Sequence, residues 1–324
     1  MEEWKRNDTI TLEKNPNYWK EGQPKLAKII VRSIPDNTAR FNALQNGEID
    51  LMEDLNPDDA KQLDGNSELV KIERPSFNVA YIGFNLKKKT FNNPKVRQAL
   101  NHAVNKQAII DALFAGQAKP AVNPMPPTLW GYNDSIQDYA YDLDKAKSLL
   151  AEAGFPNGLP EPLTFYAMPV SRPYMPDGKK VAEAIQADFE KIGVKVNIQS
   201  PEWATYLDDV KAGKKDDLYM LGWNGDNGDP DNFLYTLLDK DTIPGNNRSF
   251  YVNEELHKIL VKAQVEVDQN KRGELYKQAQ VIIKQDAPWI PLVHSTPLMA
   301  GKANLKGFVP SPAGIEAYGN IYFE

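Results

Sequence analysis

The sequence predicts an α/β protein, because apolar runs of four to eight residues alternate with longer segments of helical periodicity. The composition agrees: 41% hydrophobic and 25% charged residues are ordinary for a globular protein, and 324 residues suffice for two domains. Strand candidates are residues 27–34, 70–73, 79–86, 163–168, 194–199, 218–223 and 289–293. Between them, Asn93-Pro94 supplies a cap and first helical position for a helix over 93–114. A helix over 142–153 is closed by Gly154. The clearest helix spans 177–192: Val181, Ile185, Phe189 and Ile192 share one face, Pro176 lies near its start, and Gly193 stops it. Val194-Lys195-Val196-Asn197-Ile198 then alternates as a half-buried strand. Residues 253–285 are helical with a break near Asp268-Gln269-Asn270.

The proline-rich run 119–127 and the following 130–134 resist regular structure and predict a long ordered loop. Pro75-Ser76 and Ser311-Pro312-Ala313-Gly314 are candidate crossings between lobes. No internal repeat or low-complexity tract is present.

Several function classes are disfavoured. A net charge of −6 argues against general nucleic-acid binding, and Lys87-Lys88-Lys89 reads as a solvated strand end. No apolar run reaches the roughly 18 residues of a membrane span, so no membrane insertion of this chain is expected. Cysteine is absent, which excludes disulfides and thiolate metal sites. Residues 1–6 have no apolar segment that could serve as an export signal. The three histidines, His102, His257 and His294, lie far apart with no carboxylate at ligand spacing, so they read as surface or hydrogen-bonded structural residues. Phosphate-cradling glycine motifs and nucleophile elbows do not occur, and neither a cofactor nor a metal is expected.

The most informative stretch is 221–233, Leu-Gly-Trp-Asn-Gly-Asp-Asn-Gly-Asp-Pro-Asp-Asn-Phe. Gly222, Gly225 and Gly228 permit sharp turns and close approach to a ligand, and Asp226, Asp229 and Asp231 offer acceptors beside Trp223. A small cation or an ammonium group is the natural guest. A calcium loop started at Asp226 fails, since it would have Gly228 and Pro230 at positions three and five and Leu237 at twelve. A hydrolase pairing Asp226 with Glu202 or Asp229 is a rival reading. The bland reading makes the aspartates turn formers and helix caps, and it suits Asp229 and Asp231.

Ordered motifs along the whole chain carry a resemblance. They are Lys14-Asn15-Pro16-Asn17-Tyr18-Trp19, Asp36-Asn37-Thr38-Ala39-Arg40, Asn46-Gly47-Glu48-Ile49-Asp50, Val96-Arg97-Gln98-Ala99-Leu100, Val104-Asn105-Lys106, Tyr141-Asp142, Tyr276-Lys277-Gln278-Ala279-Gln280 and Asp286-Ala287-Pro288. With the 222–232 run they resemble extracytoplasmic solute-binding proteins of the peptide/nickel importer family, family 5, and its dipeptide-binding branch. The resemblance implies a two-lobed periplasmic-binding-protein-like fold of type II that closes over a ligand. Residues 1–76 and 295–324 would form the remainder of a hinge-bearing lobe, and 77–294 a complete one. It implies that a peptide's amino terminus is held by Asp226 and its carboxylate by Arg172 of Arg172-Pro173-Tyr174. Both are expected in turns after strand carboxyl ends, where open α/β sheets bind ligands. Tyr174, Trp203 and Trp223 are candidate aromatic walls, and Gly225 a further contact.

The function implied is capture of dipeptides, or short oligopeptides, for the permease subunits of an ABC importer, without catalysis and outside the cytoplasm. A peptide-sensing or chaperone-like module of the same fold is the other rival. Relatives carry a region before the point matching Met1, including an export signal and part of the hinge-bearing lobe. This chain is expected to lack it, leaving a half-open site.

Overall fold

The computed structural model describes residues 1–324 apart from the side chain of Pro57. The chain forms two compact units, Met1–Ser76 with Thr296–Glu324, and Phe77–Ser295.

The first unit begins with an antiparallel meander of β1 (Glu3–Lys5), β2 (Thr9–Glu13) and β3 (Lys28–Arg32). Helix α1 (Asn37–Gln45) starts where the Asp36 carboxylate accepts the Ala39 N–H at 2.7 Å. Strand β4 (Leu51–Leu55), α2 (Pro57–Lys61) and β5 (Leu69–Glu73) follow before the chain leaves the unit.

The second unit opens with β6 (Asn78–Phe84), α3 (Pro94–Ala103), α4 (Lys106–Leu113), β7 (Ala118–Pro120) and α5 (Leu143–Glu152). It continues through β8 (Leu163–Tyr166), α6 (Gly178–Glu190), β9 (Val196–Gln199), α7 (Trp203–Ala212) and β10 (Leu218–Asn224). Helices α8 (Asp231–Leu238), α9 (Glu254–Val265) and α10 (Gln269–Asp286) and strand β11 (Trp289–Ser295) complete it. Its six strands lie in the order β7-β11-β6-β10-β8-β9. Strands β8, β9 and β10 are mutually parallel, while β6 runs antiparallel to both β10 and β11. Four strands, β11, β10, β8 and β9, therefore point the same way.

The sheet is buried on both faces, and strand alternation sorts its side chains between two cores. Ala80, Ile82 and Phe84 join Leu218, Met220, Ile290 and Leu292 on one face, packed by α3, α4, α5 and α6. Val79 and Tyr81 join Tyr219, Leu221 and Trp289 on the other, under α7, α8, α9 and α10. Two-sided burial is why β6 reads as an unbroken apolar run rather than an alternating one.

The single helix expected over 93–114 is two. Val104 is extended, and Asn105 starts a new helix by accepting the Ala108 N–H at 3.1 Å while giving its own N–H to Asp188 at 2.9 Å. The proline-rich loop is likewise not wholly irregular, since β7 within it pairs with β11. Pro120 is tolerated there because β7 is an edge strand. The rest of the loop is tied to α10. One carboxylate, Asp138, bridges Lys106 and Lys284 at 2.8 Å each, and Asn133 N–H donates to Gln280 at 3.0 Å. Burial brings Lys106 down to about 8, and the two lysines outweigh burial to hold Asp138 below the usual carboxylate range.

The ends of the second unit are laced together. Asn78 Nδ2 donates to Ser295 O at 2.9 Å and Ser295 N–H returns to Asn78 Oδ1 at 2.9 Å. The chain then re-enters the first unit with β12 (Leu298–Lys302), which inserts between β4 and β5, and closes with the ribbon of β13 (Leu305–Lys306) and β14 (Tyr322–Phe323). Phe41, Leu44, Met52, Leu55, Leu298 and Ala300 form the core there. Ser311–Gly314, expected as a crossing, stays within this unit. Glu316 pairs with the buried Arg74 at 2.5 Å and accepts the Ser311 N–H at 2.9 Å, which fastens that loop to the end of β5.

Candidate functional site

Three loops of the second unit converge on one edge of its sheet. Arg172 follows the carboxyl end of β8, Trp203 opens α7 after the carboxyl end of β9, and Asp226 follows the carboxyl end of β10. Since β10, β8 and β9 are adjacent and parallel, all three leave the sheet on the same side. This is where open α/β sheets present ligand-binding loops.

Arg172 sits on a tight turn. Its N–H donates to Met175 O at 3.0 Å and Met175 returns a bond at 2.8 Å, leaving Pro173 and Tyr174 at the tip. Tyr174 is buried, and its ring lies against Gly222 of β10 so closely that a β-carbon there would be 2.3 Å from ring carbons. The Arg172 turn is thus keyed to β10 by one aromatic ring. Burial pushes the Tyr174 phenol up, and the neighbouring Arg172 opposes that shift. The guanidinium itself is exposed, lies 5.7 Å from the Trp203 ring centroid, and donates to Ser171 O at 3.3 Å. It forms no ion pair among the described residues. Trp203 is positioned from the core outward: its ring stacks on the fully buried Tyr206, centroids 5.4 Å apart, and the Tyr206 hydroxyl donates to Met220 O at 2.5 Å.

The aspartate-rich loop sorts its three carboxylates into different tasks. Asp229 is gripped by Arg272 through two bonds of 2.7 and 3.0 Å and also accepts the Asp231 N–H at 2.9 Å. Asp231 accepts from Gln264 at 3.1 Å and Tyr276 at 3.3 Å, and burial raises its pKa. Both are structural, as turn-forming aspartates were expected to be, although Arg272 was invisible from a loop 43 residues away. Asp226 alone is exposed and without an ion-pair partner among the described residues. Its surroundings are organised by Asn232, a residue the sequence did not single out. Asn232 Oδ1 accepts the Trp223 indole N–H at 2.8 Å and the Asp226 N–H at 3.2 Å, while its Nδ2 donates to Asp226 Oδ2 at 3.4 Å.

The glycines pack closely against their neighbours. Gly222 makes room for Tyr174. Gly225 is buried, donates its N–H to Phe77 O at 2.6 Å, and would place a β-carbon 2.6 Å from the Phe233 ring. Only Gly228 needs the left-handed region, with φ +70°. Of the three, Gly225 is the one that lets α8 dock directly against the loop, through Phe233.

The carboxylates weighed for hydrolysis beside Asp226 are engaged elsewhere. Glu202 caps α7 by accepting the Ala204 N–H at 2.9 Å, and Asp229 is held by Arg272. The histidines lie outside this edge in role. His102 bonds Ala140 O at 2.7 Å, and buried His294, brought down to about 4 by burial, bonds Asn78 O at 2.7 Å. His257 does find a carboxylate, contrary to the reading from spacing. Its Nδ1 lies 3.0 Å from buried Asp239, and with Asp241 the three offer ligand atoms within 4.8 Å of one another. Asp239 also accepts the Asp241 N–H at 2.9 Å, which makes it the cap of a short helical turn.

Residues 1–245 match the family described as bacterial extracellular solute-binding proteins, family 5 middle. The chain belongs to that family. Among family 5 relatives, it is 44% identical over 316 residues to heme-binding protein A of Haemophilus influenzae, covering 98% of this chain and 57% of that protein. It is 39% identical over 325 residues to the dipeptide-binding protein of Escherichia coli, covering 100% of this chain and 60% of the relative. A solved family 5 structure is also similar, the ABC transporter-associated periplasmic binding protein DppA from Helicobacter pylori in complex with the peptide STSA. The TM-score is 0.84 at 38% identity, covering 99% of this chain and 61% of that one. The chain thus spans about 60% of the length of these relatives.

Proposed function

We propose that this chain is the ligand-capturing part of a solute-binding protein for an ABC peptide importer, working outside the cytoplasm and taking up dipeptides by their charged ends. One observation carries the reading: a cation, Arg172, and an anion, Asp226, each lacking an ion-pair partner among the described residues, follow the carboxyl ends of adjacent parallel strands. A zwitterionic peptide carries the complementary pair. The guanidinium takes the terminal carboxylate through parallel N–H donors, and the Asp226 carboxylate accepts from the terminal ammonium. Each charge-assisted bond contributes about 1.5 to 3 kcal/mol. Trp203 and Trp223 flank these charges as aromatic surfaces tolerant of side-chain identity. Two fixed charges also measure length, since each extended residue adds about 3.3 to 3.6 Å. Similarity to a dipeptide-binding protein and to a DppA in complex with a peptide supports the ligand class. Binding without chemistry agrees with the engagement of Glu202 and Asp229 in structural bonds.

The test is calorimetric titration with one dipeptide, its tripeptide and tetrapeptide extensions, and the same dipeptide blocked at both ends. Binding at about −8 kcal/mol or better, a micromolar Kd, that weakens with length and disappears on blocking supports the proposal. Equal affinity for the doubly blocked peptide contradicts it.

A further inference from the structure

Asn232 makes three contacts that together act on Asp226. Its Oδ1 accepts two N–H donors, the Trp223 indole at 2.8 Å and the Asp226 backbone at 3.2 Å. Both lone pairs of that oxygen are therefore used, and the amide can face only one way, because flipping it would set its NH2 against two donors. The NH2 group is consequently aimed at Asp226, where it donates to Oδ2 at 3.4 Å. The platform beneath is rigid. Asn232 lies in the first turn of α8, and the residues beside it are anchored by the paired Arg272–Asp229 hydrogen bonds and by Asp231 with Gln264 and Tyr276. Trp223, at the other end of the network, belongs to the sheet through β10.

We infer that Asn232 is a positioning residue for recognition of the peptide's amino terminus: by occupying Oδ2 of Asp226 it turns Oδ1 toward the ligand and holds the Trp223 ring beside it. This rests on the function proposed above and assigns the selectivity for a free ammonium to a residue that need not touch the ligand.

The quantity that reads it is the acetylation penalty, the ratio of Kd for an N-acetylated dipeptide to Kd for the free one. General damage to the site weakens both ligands and leaves the ratio unchanged, whereas loss of Asp226 orientation shrinks it. In Asn232→Leu, which keeps the branched side-chain shape and heavy-atom count and removes all three bonds, the penalty is expected to fall by about threefold to tenfold, the latter about 1.4 kcal/mol. The corresponding penalty for C-terminal amidation is expected to stay at its wild-type value. Asn232→Gln, which retains the amide but displaces it, should give an intermediate penalty and serves if the leucine variant does not fold. In an Asp226→Ala background the Asn232 change should add nothing. A wild-type acetylation penalty in both variants overturns the inference, as does an equal loss of both penalties. Absence of any penalty in the wild type would instead overturn the proposed function itself.

Discussion

Asp216, just before β10, is fully buried, and neither of its carboxylate oxygens has a hydrogen-bond partner among the described residues. Burial raises its pKa from 3.8 to about 7. The folded state therefore holds this proton more tightly than the unfolded chain does. That stability is fully present below about pH 4 and is lost as pH rises toward 7, an effect on the order of 4 kcal/mol in total. An asparagine side chain at this position cannot ionise, so Asp216→Asn is expected to remove this slope and to be the more stable protein at pH 8. Denaturant unfolding at pH 5 and pH 8 reads the difference, and identical pH slopes in the two proteins would refute the assignment. Asp226, unlike Asp216, is exposed and so available to an outside cation.

At the scale of elements, the contact that aligns the Arg172 turn with β10 is the Tyr174 ring on Gly222. A β-carbon at Gly222 would lie 2.3 Å from that ring and 2.7 Å from Val79 O, so neither neighbour can yield cheaply. Gly222→Ala is expected to destabilise by about 1 to 3 kcal/mol, seen as a lower Tm, and to weaken peptide binding because the Arg172 turn moves. An unchanged Tm and Kd would mean the turn is not keyed to the strand. Asp138 is a second such key. Asp138→Asn leaves Lys106 and Lys284 buried beside each other without their shared counter-charge, expected to lower stability by about 3 to 5 kcal/mol in denaturant unfolding; a loss below about 1 kcal/mol would contradict this. The strands that carry the site were legible because β8 and β10 are apolar runs and β9 alternates as a half-buried strand. The Asp226 loop could therefore be located from its strand end, whereas Arg172 was singled out by the family resemblance and only then found to follow a strand end. Strands β1 and β2 were not read, since β1 is exposed throughout and half-buried β2 alternates threonine with isoleucine and leucine, so neither gives an apolar run. The break at Val104-Asn105 was missed because neither residue is a glycine or proline. The amide of Asn232 and the grip of Arg272 on Asp229 depend on side chains brought together only by folding, so no local pattern announces them.

At the scale of the molecule, the second unit is one continuous segment, Phe77–Ser295, with two cores of its own and ends joined by Asn78 and Ser295. A fragment of residues 77–295 is expected to fold cooperatively and to carry Arg172, Trp203, Trp223 and Asp226 in place. A non-cooperative melt of that fragment would show that the first unit is needed for its stability. The central claim, that one charge serves each peptide terminus, is tested most directly by crossing ligand blocks with variants in a single titration series. Wild type, Arg172→Ala and Asp226→Ala are titrated with a free dipeptide and its N-acetylated and C-amidated forms. Acetylation should weaken the wild type by about 10-fold to 100-fold yet cost Asp226→Ala nothing further, and amidation should behave likewise with Arg172→Ala. If each block costs as much in its matching variant as in the wild type, these two residues are not the ones that hold the termini.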